Sequence, residues 1–127
     1  MKANQTPIYR AAERLLLWAI PLTERLPKSL PYQVIGGEMV ADIKHGVDEI
    51  ICAMHAGDAA TKLRCITSLL ARMASVKMAM RTLAQCKVNF VPVVSNRQEA
   101  AFLDLINPIC AQATAWRAKA AGQIIIS

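Results

Sequence analysis

Residues 58–87 read DAATKLRCITSLLARMASVKMAMRTLAQCK, and this stretch decides what the chain can fold into. Leu63, Ile66, Leu70, Met73, Val76, Met80 and Leu83 recur at three- and four-residue steps, which gives a wide apolar stripe on a helix spanning roughly Ala59 to Lys87. A stripe that broad needs neighbouring helices to cover it. Between Asp58 and Glu99 the chain also carries Lys62, Arg64, Arg72, Lys77, Arg81, Lys87 and Arg97, and not one acidic residue. Lys77 and Arg81, four apart, leave by one side of the helix, and Arg64 and Arg72 by another flank. Such a block repels itself unless a polyanion or an acidic partner sits against it; the structural alternative is a solvated helix face.

On the N-terminal side of this stretch the patterning predicts two more helices. Thr6-Pro7 reads as an N-cap followed by a first helical residue, because proline lacks the amide that a first turn leaves unpaired anyway. Ile8, Ala12, Leu15, Ala19 and Leu22 then form the buried face of helix one. Pro21 should kink it, and Pro27 and Pro31 should end it in a rigid turn. Helix two runs from about Tyr32 to Ala56 on Ile35, Met39, Ile43, Val47, Ile50 and Met54. Gly36, Gly37 and Gly46 weaken it: Gly36-Gly37 can be a loop, or small residues can admit a close neighbour. In Ala56-Gly57-Asp58 the glycine is expected to end one helix and the aspartate to cap the next.

On the C-terminal side, residues 88–94 read as an extended connection. Ser95-Asn-Arg-Gln-Glu99 offers two overlapping capping boxes, Ser95 with Gln98 or Asn96 with Glu99. Helix four follows on Phe102, Leu105, Ile106, Ile109, Ala113, Trp116 and Ala120, bent at Pro108 and ended by Gly122; the apolar tail Ile124-Ile-Ile-Ser127 is left unassigned. The expectation is one domain over residues 1–127, an all-α, up-and-down antiparallel four-helix bundle.

Of the 127 residues 54% are hydrophobic and only 19% charged, with a mean hydropathy of +0.30. That is apolar for so small a domain, so the surplus is expected to cover a subunit interface. The net charge of +6 favours nucleic acid, anionic membrane or acidic protein as partner. No apolar run approaches the roughly 20 residues that cross a bilayer, and Met1 and Lys2 are followed by polar residues rather than a secretory core, so a cytoplasmic protein is expected. Cys52, Cys65, Cys86 and Cys110 stand singly, without C-x-x-C spacing, and read as small core hydrophobes rather than as a zinc site or a disulfide framework.

Catalytic motifs are missing. Asp42-x-x-His45 is one half of a di-metal bundle motif and reads better as a helix-surface pair. His55 fits a helix C-terminus, which favours a cation, better than a catalytic role. No phosphate loop, nucleophile elbow or Cys/His pair with a plausible third member is present, so neither enzyme activity, metal nor cofactor is expected. Met73, Met78 and Met80 read as bundle core, and so do most of the six aromatics. Base stacking then has little to work with, and any RNA would be held through its phosphates, with steep salt dependence.

The run Leu15-Leu-Leu-Trp-Ala-Ile-Pro-Leu-Thr-Glu-Arg-Leu-Pro-Lys28, the basic segment from Asp58 to Lys87, the helix start at Ser95–Glu99 and Ala113-Thr-Ala-Trp116 together resemble the accessory variability determinant proteins of diversity-generating retroelements. These are related to four-helix-bundle proteins encoded in rRNA intervening sequences. The resemblance implies a non-catalytic, ring-like homopentamer that binds a reverse transcriptase and its template RNA and supports error-prone copying into complementary DNA. The family's paired bases fall on Lys77 and Arg81; lysine at the first keeps the charge without a bidentate fork. The chain departs from its relatives at Pro108 and at Ala113, where glycine is usual. Arg64, Arg72, Lys77, Arg81 and Lys87 are the residues expected to meet RNA or polymerase. The alternatives are an intervening-sequence bundle protein with no polymerase partner, and a ligand- or metal-binding bundle.

Overall fold

The computed structural model describes residues 6–126, with side chains described as far as Ile124. Met1 and Lys2, on which the secretory reading rests, and most of the tail side chains lie outside this range. Four helices follow in order: α1 (Pro7–Glu24), α2 (Leu30–Met54), α3 (Ala59–Gln85) and α4 (Asn96–Ile126), with a small hairpin, β1 (Lys87–Val88) and β2 (Val91–Pro92), between the last two. α1 packs on α2, α2 on α3, α3 on α4, and α4 returns to α1. Short connections reverse the chain each time, the arrangement of an up-and-down four-helix bundle. No helix among the described residues is long and apolar enough to cross a membrane.

The helix starts follow the sequence closely. The Tyr9 amide donates to Thr6 Oγ1 at 3.4 Å, and Pro7 occupies the first turn. At α3 the Thr61 amide donates to Asp58 Oδ1 at 2.6 Å. Of the two capping boxes open to α4, the Ser95 and Gln98 pair forms: the Gln98 amide donates to Ser95 Oγ at 3.1 Å, and the Ser95 amide donates to Gln98 Oε1 at 2.9 Å. Two amides with no intrahelical partner are thereby satisfied reciprocally.

The helix ends differ more. α2 begins at Leu30 rather than Tyr32, because Pro31 falls within the first turn, where its missing amide costs nothing. The α1–α2 corner is held by Gln33, whose Nε2 donates to the carbonyls of Leu26 at 3.3 Å and Pro27 at 3.0 Å. α2 is closed by His55, whose amide donates to the Ile51 carbonyl at 3.1 Å; Gly57 lies beyond it, and no glycine has the positive φ that a glycine stop uses. α4 runs through Gly122 to Ile126. Pro21 and Pro108 both stay inside their helices and on exposed positions, where solvent can reach the carbonyl each leaves unpaired.

The core follows the predicted periodicity in the main, but Ile35, Val47 and Met54 of α2 and Leu105 and Trp116 of α4 are only half-buried, and the stripe of α3 is shifted. Ile8, Ala12, Leu15, Ala19 and Leu22 are all buried, as are Met39, Ile43 and Ile50 of α2 and Phe102, Ile106, Ile109, Ala113 and Ala120 of α4. On α3 the stripe is rotated towards Cys65 and Leu69, leaving Leu63 and Leu70 half-buried beside Ile66, Met73, Val76, Met80 and Leu83. Gly46 explains the close α2–α3 approach: a Cβ there would lie 2.7 Å from Met73 Cε and 3.3 Å from Leu69 Cδ1. Gly36 plays the same part towards Leu26 at the α1–α2 corner, so Gly36-Gly37 is helix and not loop.

Candidate functional site

Helical geometry sets how the five predicted bases can act. At about 100° per residue, Arg72 and Lys77 point some 140° apart around α3, so Arg72 faces towards α2 while Lys77 and Arg81 face towards α4, and Arg64 lies on the exposed side between them. Arg72 is not free. Its Nη1 donates to Asp42 Oδ1 of α2 at 3.0 Å, in a pair that is partly shielded from solvent. The carboxylate of the Asp42-x-x-His45 half-motif is thus the partner of an arginine on α3.

Lys77 and Arg81 line a groove of about 510 Å³ between α3 and α4, together with Met78, Gln85, Glu99 and Leu103. Arg81 Nη1 lies 3.8 Å from Glu99 Oε2, with the arginine side chain largely in solvent. An exposed pair at that distance is loose and strongly screened. Among the described residues Lys77 has no carboxylate partner, nor do Arg64, Lys87 or Arg97. Arg64 donates from Nη2 to Thr61 Oγ1 at 3.3 Å near the start of α3, and Lys87 projects from β1 at the far end. Lys62 Nζ sits 6.0 Å above the Trp116 ring. The acid-free stretch therefore forms a discontinuous rim in which Arg72 is neutralised and Arg81 partly so, and the charge available to a partner is less than the sequence suggests. The Asp58 carboxyl, which opens the stretch, is held below the ordinary aspartate value, first by the Thr61 amide and then by the Thr61 hydroxyl, with Arg64 adding a smaller charge effect.

Several apolar side chains stand out among these bases. Met78, expected in the core, is 73% exposed on the rim of the groove. Phe90, in the predicted extended connection, is 96% exposed at the hairpin tip. Residues 88–94 are thus not a simple extended link: Lys87 pairs with Pro92 and Val88 with Val91, and Asn89 and Phe90 turn the chain at φ of 50° and 68°. Asparagine tolerates that left-handed region; phenylalanine does so only at a cost in backbone energy. The Val-Asn-Phe-Val sequence lacks the Asn-Gly that marks such a turn, and this hid the hairpin.

The cysteines also depart from expectation. Cys52 of α2 and Cys65 of α3 are joined as a disulfide, with Cα atoms 6.2 Å apart, whereas Cys86 and Cys110 are free and half-buried. Cys65 is a core residue, as expected, but Cys52 is exposed. Two cysteines thirteen residues apart on different helices show no linear motif, and only the α2–α3 reversal brings them together. No protein-family model, curated protein or solved structure matches the chain.

Proposed function

We propose that this chain is a non-catalytic accessory protein of a diversity-generating retroelement, working in the cytoplasm as a basic homopentamer that binds the reverse transcriptase and its template RNA. In that role it supports mutagenic synthesis of complementary DNA and its retrohoming. The reading rests on the resemblance carried by residues 15–28, 58–87, 95–99 and 113–116. The observation that carries it is the charge balance of the acid-free stretch: among the described residues Lys77, Arg64, Lys87 and Arg97 have no carboxylate partner, and Arg81 has only a loose one. Unpaired bases of this kind lower the free energy of a polyanion held against them, and the attraction comes largely from release of its condensed counterions.

Lys77 and Arg81, sharing one groove, are the pair through which a phosphate chain is best held, with Met78 supplying apolar contact beside them. Phe90 adds a single exposed ring three residues from Lys87, so one base can stack there even though the remaining readout is to the backbone. Arg72 contributes to the fold through Asp42 rather than to binding.

The test is binding of the retroelement's template RNA, by fluorescence anisotropy at low salt, with co-purification of the neighbouring polymerase as the second measurement. Replacing Lys77 and Arg81 together with alanine should weaken RNA binding about tenfold or more and reduce the slope of log K against log salt by roughly 1 to 2. Arg72→Ala should leave binding within about twofold while costing about 0.5–1 kcal/mol of stability. An assembly that ignores both RNA in dilute buffer and the polymerase overturns the reading. Binding of RNA without any polymerase points instead to the intervening-sequence relatives.

A further inference from the structure

The end of α2 and the start of α3 hold a group of side chains that RNA or polymerase binding does not use. Glu49 and Cys52 are three residues apart on α2 and so share a face, and Cys65 reaches the same point from the second turn of α3. A carboxylate oxygen of Glu49 and the two sulfurs all lie within 4.8 Å of one another. A tetrahedral ion with bonds of about 2.0–2.3 Å places its ligands roughly 3.5–3.8 Å apart, a span this group reaches by small side-chain rotations. Glu49 is half-buried and takes part in no ion pair among the described residues, although the neighbouring α3 carries five bases and no acid. Cys52 is open to solvent and gives an ion a way in, and Cys65, only 6% exposed, anchors the group to the core.

We propose that the Cys52–Cys65 pair in its dithiol form, together with Glu49, binds a single thiophilic divalent cation of the zinc class. Two sulfurs and one carboxylate suit zinc, whereas magnesium and calcium take oxygen ligands throughout. Reduction breaks the S–S bond with two electrons and two protons: a phosphine gives the electrons and becomes its oxide while water gives the protons and the oxygen, or a dithiol gives both and closes to its own disulfide. Binding of the cation then releases the two thiol protons to solvent and leaves two thiolates and one carboxylate on the metal. Three protein ligands leave a fourth position for water. The bound ion clips the last turn of α2 to the first turns of α3, directly ahead of the acid-free stretch, and the oxidised pair makes the same connection covalently. This site does not depend on the function proposed above.

The full chain, reduced with a phosphine and kept free of oxygen, is titrated with Co²⁺ and then with Zn²⁺. One equivalent of Co²⁺ should give a sulfur-to-cobalt charge-transfer band and the visible bands of tetrahedral cobalt, both erased by Zn²⁺. Zn²⁺ should also protect two of the four thiols from a thiol reagent. Cys52→Ser and Cys65→Ser should each weaken binding by more than the roughly 100-fold upper cost of losing an outer-shell partner, and Glu49→Gln by at least about tenfold. A variant with both Cys86 and Cys110 changed to serine should bind as the parent does, and protein with the disulfide intact should not bind. No sulfur-to-cobalt band when all four thiols react, a band that survives Cys52→Ser, or Glu49→Gln binding as tightly as the parent each overturns the proposal. Should the cysteine variants fail to fold, as judged by circular dichroism, thiol protection in the parent chain decides: two protected thiols sustain the site and none removes it.

Discussion

Phe90 combines two unfavourable features on one residue: a left-handed backbone that a bulky side chain resists, and an aromatic ring left almost wholly in water. Phe90→Gly should remove both and raise stability by about 1 kcal/mol, read from thermal unfolding. The same variant should weaken RNA binding, since base–ring stacking is worth about 1–3 kcal/mol. A gain in stability that comes with a loss of binding would mark the strain as serving contact. Asp58 gives a different kind of residue-scale prediction. Its carboxyl is depressed by the Thr61 amide in the folded chain, so its contribution is fully present above the ordinary value of 3.8 and is lost as pH falls through the lower folded value. Melting curves taken from neutral pH downwards should therefore converge for the parent and Asp58→Asn below that window, the parent's advantage being confined to higher pH.

At the scale of the helix, the α4 start is fixed by a reciprocal pair, and its removal should be measurable. Gln98→Ala strips the Ser95 amide of its acceptor and should cost about 0.5–1 kcal/mol in denaturant unfolding, with the overall helix content unchanged. The starts of α1, α3 and α4, the helix number and the buried face of α1 were legible because each rests on a local rule: a capping side chain three residues from its target, or a period of 3.6. The details that were not legible rest on contacts between elements. The stripe of α3 rotates towards Leu69 because Gly46 lets Met73 press against α2, and no period in α3 alone contains that fact. The candidate site was legible in part for the same reason. Charge type and spacing are local and placed Lys77 and Arg81 side by side; the partners that neutralise Arg72 and restrain Arg81, Asp42 and Glu99, come from other helices thirty and eighteen residues away.

For the whole molecule, the four helices bury a continuous core yet leave large apolar side chains outside. Leu17 is 63% exposed and Leu30 74%, the first on a shallow groove shared with Trp18 and Pro21. The proposed pentamer would cover such surface. Light scattering on the purified chain should then give a mass five times the 13.9 kDa of one copy, and Leu17→Glu with Leu30→Glu should reduce it towards one copy at unchanged helicity. A single-copy mass for the parent chain would remove the ring from the proposal.

The hairpin sets a boundary on how copies can meet. Its strands are two residues long, and Pro92, opposite Lys87, brings no amide to the outer edge. An incoming chain therefore finds almost no main-chain ladder to extend. Growth into fibrils by strand addition thus gains little from the one strand pair among the described residues, so crowding these molecules in concentrated solution should not readily seed amyloid from that edge.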